Sequence, residues 1–189
     1  RWDFEKSYVY DAFGRKKRVV RYVDGHQLLM DCEYDLLDRR VSVAYPTVED
    51  GAIDRVAYDY DGSFLSRVCD VGVESMDCDG AEATPLVSGV DFDELGRVSE
   101  LVMPGGTRTF TYDGNSGRRR SDVLASSTGD DLAYHFERPA SGGGVEAAYD
   151  ERGNLTHVAA TLGSGASTVS FTHAYEYDGR NRISGWAWN

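Results

Sequence analysis

Several groupings of polar residues have types and spacings that bear on chemistry. Gly114-Asn115-Ser116-Gly117 sets a serine between glycines, as a nucleophile loop would. Such a serine needs a base and an orienting acid, and none of His26, His135, His157 or His173 stands in a matching context. The same histidines lack the short spacings by which two imidazoles share a metal. Asp59-x-Asp61-Gly62 and Asp77-x-Asp79-Gly80 each put two carboxylates ahead of a glycine. An EF-hand loop needs a third oxygen ligand before that glycine and a Glu six positions beyond it, and neither follows. The second pair lies in an irregular acidic stretch, where calcium binding would be weak. Asn154-Leu155-Thr156 is a glycosylation sequon, meaningful only in a secreted eukaryotic protein. The glycine-rich stretches lack the Gly-Lys-Ser/Thr ending of a phosphate loop. No catalytic, metal or cofactor residue is assigned, and the chain reads as a non-enzyme.

Charge and composition narrow the partners. A net charge of −12 over 189 residues repels nucleic acid and anionic membranes. The local basic runs Arg15-Lys16-Lys17-Arg18 and Arg118-Arg119-Arg120 each follow a turn in strand-like segments, so they read as strand residues. No apolar run approaches the ~20 residues needed to span a bilayer, and no signal-peptide pattern opens the chain. Cys69 and Cys78 flank a Gly/Asp-rich loop where they could pair, leaving Cys32 alone in a strand. The first and last residues read as cuts through a longer protein, and 1–189 reads as a single module without an internal boundary.

What must position everything else is a repeat. An aromatic–acid pair recurs as Tyr10-Asp11, Tyr34-Asp35, Tyr60-Asp61, Phe92-Asp93, Tyr112-Asp113, Tyr149-Asp150 and Tyr177-Asp178, with a degenerate copy at Phe136-Glu137. Two residues before each aromatic stands Tyr8, Cys32, Tyr58, Val90, Phe110, Ala147 or Tyr175, and Tyr134 in the degenerate copy. The residue between is mostly polar or small. Repeated over eight copies, this period of two describes strands with one dry and one wet face.

A turn follows each pair. Asp11-Ala12-Phe13-Gly14-Arg15 is echoed by Asp93–Gly96-Arg97 and Asp150–Gly153-Asn154, while Asp35–Asp38-Arg39 and Asp178–Asn181-Arg182 put Asp and Asn in the Gly position. Those are the non-glycine residues that best tolerate positive φ, so the third position after each Asp is expected in the left-handed region. The Asp carboxylate is expected to close an Asx-turn, giving a hairpin of three to five loop residues with a bulge. Pro104-Gly105-Gly106 and Asp24-Gly25 close opposite ends. The chain should meander through about sixteen short antiparallel strands, with Asp70–Gly89, Pro139–Gly144 and Gly163–Ser167 as insertions at turns. The expected fold class is all-β, built of repeated hairpins whose stacked rings, more than their exposed ion pairs, supply stability. Truncating a buried Tyr10 or Tyr112 would cost about 3 kcal/mol.

The unit Tyr8-Val9-Tyr10-Asp11-Ala12-Phe13-Gly14-Arg15 resembles the YD repeat of the Rhs family, and Tyr58–Asp61 and Tyr175–Asp178 resemble its first half. That family includes bacterial polymorphic toxins, the shell component of insecticidal toxin complexes and the animal teneurins. The resemblance implies a β-sheet wound spirally as the wall of a hollow shell, which in bacterial members holds a toxic C-terminal domain. It implies a secreted or cell-surface location, with the rest of the shell and an enclosed polypeptide as partners. The Asp-Pro segment linked to self-cleavage is missing here, so autoproteolysis is not carried over. The rival expectation is an extracellular adhesion module in which Trp2, Trp186 and Trp188 engage glycan or protein.

Overall fold

A computed structural model describes residues 4–46, 55–72, 75, 77–139 and 142–189. It is built almost wholly of antiparallel strands and contains no α-helix among the described residues. The chain divides into two compact units, residues 1–90 and 91–189, and each is described by itself.

The first unit is a seven-stranded meander in chain order. It runs β1 (Phe4–Tyr10), β2 (Lys16–Val23), β3 (His26–Tyr34), β4 (Arg40–Ala44), β5 (Arg55–Asp61), β6 (Phe64–Asp70) and β7 (Thr84–Val87). Paired residues of adjacent antiparallel strands share a face. One face therefore carries Tyr8 and Val19 with Met30, then Cys32, Val43 and Val56, then Tyr58 and Val68. The other carries ion pairs: Arg18 with Asp31, Arg55 with Glu33, and Arg67 with Asp59 and Asp79. The alternation in the sequence is thus a division between an apolar and a charged face.

Towards β5 and β6 the charged face gains a cover. Cys69 is disulfide-bonded to Cys78, with Cα atoms 5.5 Å apart, and both pack with Ala57, Val71 and Ala83 in a small buried cluster. The long stretch after Asp70 is thus an insertion folded back on the sheet, and it ends in β7. Cys32 is buried and free.

The second unit holds an eight-stranded sheet in the order β17-β16-β15-β12-β11-β10-β9-β8. Its strands are β8 (Gly89–Phe92), β9 (Val98–Met103), β10 (Gly106–Tyr112), β11 (Arg119–Ser126), β12 (Leu132–His135), β15 (His157–Leu162), β16 (Val169–Tyr177) and β17 (Ile183–Trp188). Leu101, Arg108, Leu124, Leu132, Leu162 and Val169 form one cross-strand row, and Phe110, Asp122, Tyr134, Ala160 and Phe171 the next on the same face. Across the opposite face run Thr109, Val123, Ala133, Thr161 and Ser170, then Thr111, Ser121, His135, Ala159 and Thr172. On the apolar face Asp122 is buried, with Arg108 and Arg119 on its carboxylate and the Phe110 ring beneath both guanidinium groups. A buried carboxylate held this way is paired, as the cost of an isolated charge requires.

The simple meander fails once. β13 (Glu137–Pro139) and β14 (Val145–Ala147) form a separate two-stranded sheet, and β15 pairs with β12 across them. The break falls at the degenerate copy, where the Phe136 amide donates to the Arg120 carbonyl as a continuation of the β11–β12 pairing, and Glu137 pairs with Arg120.

Burial is shallow throughout. The largest fully buried side chains are Val43, Val71 and Ser42, and Phe110 is the one large aromatic in the buried set among the described residues. Most motif rings lie half-buried on the apolar face, and Tyr10 is 53% exposed. A stack of buried rings is therefore not what holds successive hairpins together. With so thin a core, the disulfide matters to the first unit. It closes a loop of sequence separation 9, for which chain entropy gives about 2–3 kcal/mol. Cys78→Ser is expected to lower the stability of the first unit by that amount, read as a shifted urea midpoint, while the unfolding of the second unit stays in place.

Candidate functional site

The candidate site is the row of loops at one end of the strands, where the aromatic–acid pairs fall. Five loops share one construction. Each opening Asp amide donates to the carbonyl four residues on (Asp11 to Arg15, Asp35 to Arg39, Asp93 to Arg97, Asp150 to Asn154, Asp178 to Arg182). The residue three after the Asp has positive φ in every case: Gly14 80°, Asp38 62°, Gly96 75°, Gly153 92° and Asn181 60°. That backbone turn aims two amides at one carboxylate oxygen. Oδ1 of Asp11 accepts from the Phe13 and Arg15 amides, both at 2.9 Å, and its Oδ2 accepts Arg15 Nε at 2.7 Å. Asp35, Asp93 and Asp178 repeat these three bonds with Arg39, Arg97 and Arg182. In the fifth loop Asn154 Nδ2 takes the arginine's place on Asp150. Bulges in the exit strands at Lys17, Val41 and Ser184 complete three of these hairpins.

Two copies vary. Asp113 to Arg118 is one residue longer: Gly117 takes the positive φ, and Ser116 donates through both amide and hydroxyl to Asp113. The serine of Gly114-Asn115-Ser116-Gly117 is therefore a loop-closing residue. Asp61 ends β5 opposite Phe64, so Gly62-Ser63 form a two-residue turn with no clasp. In the Asp77 pair, Asp79 is bound to Arg67, and no group of three metal-ligating side chains occurs among the described residues.

The arginine that ends the loop also acts on its neighbour, clasped to its own Asp at Arg15, Arg39 and Arg97 and without such a clasp at Arg118. Its guanidinium lies over the next copy's tyrosine: Arg15 over Tyr34 at 4.8 Å, Arg39 over Tyr60 at 4.5 Å, Arg97 over Tyr112 at 4.2 Å and Arg118 over Tyr149 at 5.2 Å. Its Nη1 donates to a carbonyl of that next turn, at Asp35, Gly62, Gly117 and Asp150 respectively. In return each tyrosine hydroxyl donates backwards to the carbonyl just past the preceding loop: Tyr34 to Lys16, Tyr60 to Arg40, Tyr112 to Val98, Tyr149 to Arg119 and Tyr177 to Leu155. Where Asn154 replaces the arginine, its amide reaches Asn181 and Arg152 reaches the Gly179 carbonyl. The loops thus interlock within each unit, arginine forward and tyrosine back.

The motif residues distribute accordingly. Tyr34, Tyr60, Tyr112, Tyr149 and Tyr177 occupy joints, and Tyr8, Tyr58, Phe110 and Tyr175 lie two residues before a motif aromatic on the same apolar faces, Phe110 buried and Tyr8 exposed. Asp11, Asp35, Asp93, Asp113, Asp150 and Asp178 open loops, whereas Asp61 does not. Phe92 ends β8 beside the Asp93 loop. Trp2 lies outside the described residues, and Trp186 and Trp188 stand 66% and 68% exposed on β17. An ion pair from the arginine to its own or a neighbouring copy's Asp was open to sequence reading, and Arg15 makes both, to Asp11 and Asp38. The seat of the guanidinium over the next tyrosine was missed; the recurrence of an arginine at the end of most loops was the available signal.

Clasping shifts the carboxylates. Asp93 is held below the ordinary aspartate range by the Arg97 side chain and then by backbone amides. For Asp178 the Arg182 amide leads, and for Asp150 the Asn154 side chain. For Asp11 and Asp35 burial pushes upward, and the hydrogen bonds from Arg15 and Arg39 outweigh it.

No protein-family model matches this chain, and no curated protein matches it. In the crystal structure of TcdB2-TccC3-Cdc42, a stretch superposes on 95% of this chain with a TM-score of 0.54 at 9% identity. The matched stretch is 11% of that chain, so this chain corresponds to a small part of the larger one. The likeness is one of fold: an open, all-β architecture of successive antiparallel hairpins.

Two outcomes follow from the joint. Tyr112→Ala removes a ring covered by Arg97 and a hydroxyl bonded to Val98, and should cost about 2–3 kcal/mol of the second unit's stability. Tyr10→Ala, at an exposed edge, should cost under about 1 kcal/mol by the same denaturation measurement. With pKa values depressed in the fold, the clasps contribute fully above the unfolded aspartate value and weaken as pH falls through the folded ones. The urea midpoint should stay level from about pH 7 to about pH 5 and fall below about pH 4. A midpoint level to about pH 3 would show that the clasped carboxylates carry no linked stability.

Proposed function

We propose that this chain is a wall segment of a secreted or surface-delivered β-shell that encloses or presents another polypeptide. The observation that carries this reading is the pairing of an interlocked loop row with sheets that are apolar on one face and polar on the other. Interlocking neighbour to neighbour extends a sheet indefinitely in one direction, as repeat architectures do. A sheet with one apolar and one polar face fits a wall that faces a different content on each side. The spacing of the YD-like units and the likeness of fold to part of TcdB2-TccC3-Cdc42 support the same reading. Serving as a wall requires no catalytic group, and the polar side chains of the loop row are spent on one another.

Electron microscopy of the full-length parent protein tests the proposal. The expected result is a continuous wall around an internal volume, with Leu124, Leu132 and Phe171 directed to one side of it. A solid particle without an interior would overturn the enclosure.

A further inference from the structure

The apolar face of the second unit carries positive charge on a chain that is acidic as a whole. The charged residues in its two cross-strand rows, with the Tyr112–Arg119 pair beside them, are Arg108, Arg119 and Asp122. Two guanidinium groups on one carboxylate leave a surplus of positive charge, where the chain's net charge is −12. Asp131, which borders these rows, accepts from the Ser126 amide. The strands concerned all lie inside the sheet, between β8 and β17.

The surplus is available because a guanidinium has two forks. Arg108 meets Asp122 with its side fork, Nε to Oδ1 at 2.6 Å and Nη2 to Oδ2 at 2.8 Å. Its end fork, Nη1 and the second hydrogen of Nη2, has no partner among the described residues. Arg119 adds one bond to Oδ2 at 3.2 Å. The Asp122 side chain is 8% exposed and that of Arg108 43%, so the acid is covered and the base is not. Arg108 lines a cavity of about 130 Å³ together with Met103, Asp122, Leu124, Leu132 and Tyr134. That is roughly four times the share of one water in the liquid, room for a short side chain. The Tyr134 hydroxyl makes no hydrogen bond among the described residues.

An apolar hollow with one free guanidinium fork and one free hydroxyl matches a carboxylate on a short apolar stem. We propose that this pocket docks a polypeptide segment through a glutamate side chain flanked by apolar residues. The carboxylate accepts from the end fork of Arg108 and from the Tyr134 hydroxyl, and the flanking residues rest on Leu101, Leu162 and Phe171. The apolar rows around the cavity cross six strands, β9 to β12, β15 and β16. At ~4.8 Å per strand an extended segment covers them and a small free acid does not. Most of the chain's negative charge is screened at this distance, since the Debye length is ~8 Å at physiological salt. The inference names the chemistry of the polypeptide in the function proposed above and rests on that reading for its source. The binding measurement reports on the pocket alone and fails separately from the microscopy.

Fluorescence anisotropy on the full chain tests it. The probe is a labelled, capped heptapeptide of leucine and serine with one central glutamate, and its twin has glutamine there. The glutamate peptide is expected to bind about tenfold more tightly, as charge-assisted hydrogen bonds allow. Arg108→Gln should abolish that preference, with circular dichroism showing that the strands persist. Tyr134→Phe keeps the ring in place; it should weaken the glutamate peptide several-fold and leave the glutamine peptide unchanged. Decanoate offers the same carboxylate from a lipid source and should displace the probe far less well than unlabelled peptide does. Equal binding of the two peptides, a preference that survives Arg108→Gln, equal weakening of both by Tyr134→Phe, or displacement by decanoate as effective as by peptide would overturn the inference.

Discussion

The structure depends on one arginine doing two things at once. Within its own loop the guanidinium is a third tie on a carboxylate that already holds two backbone amides. That tie fixes the side chain, so its reach over the next tyrosine is made without the rotamer loss that weakens most surface ion pairs. The tyrosine then returns a hydrogen bond to the backbone beside the arginine. Each contact is modest alone. Preorganised by the turn, they bind loops that neither a deep core nor a covalent link connects.

This arrangement explains how strands with so little buried area stay in register. A slip of one residue would turn every apolar side chain of a strand to the polar face. Here the slip is blocked at the loop end, because a shift of one residue would take a tyrosine from its carbonyl and an arginine from its ring. The joint also outlasts failure of the strands. Between Asp113 and Asp150 the meander is broken by β13 and β14, and still Arg118 lies over Tyr149 and Tyr149 reaches the Arg119 carbonyl.

The turns were the most legible part of the sequence. In the five clasped loops the five residues beginning with the Asp carry the local code, since positive φ restricts the fourth to Gly, Asp or Asn and the carboxylate defines the first. The strand Val98–Met103 was legible for the same reason, bounded by a loop and by Pro104-Gly105. Less legible was what the aromatic rings do. Period-two spacing places Tyr10 and Tyr112 on the same face but does not say how deeply either is covered. That depends on whether a preceding copy supplies an arginine, a relation between residues about twenty apart. The separate β13–β14 hairpin was hidden too, because the Phe136 copy keeps an aromatic–acid pair while lacking the loop that makes such a pair act as one.

The tight turn at Gly62 interrupts the series. It receives Arg39 from behind, but Leu65 stands where an arginine would pass the contact onward, so the row starting at Asp11 ends there and another begins at Asp93. The gap falls in the stretch that leads to the division of the chain at residue 90. Mechanical load or heat applied to either row would then spread among its own loops, and within the row from Asp11 the arginine link passes nothing on beyond Gly62.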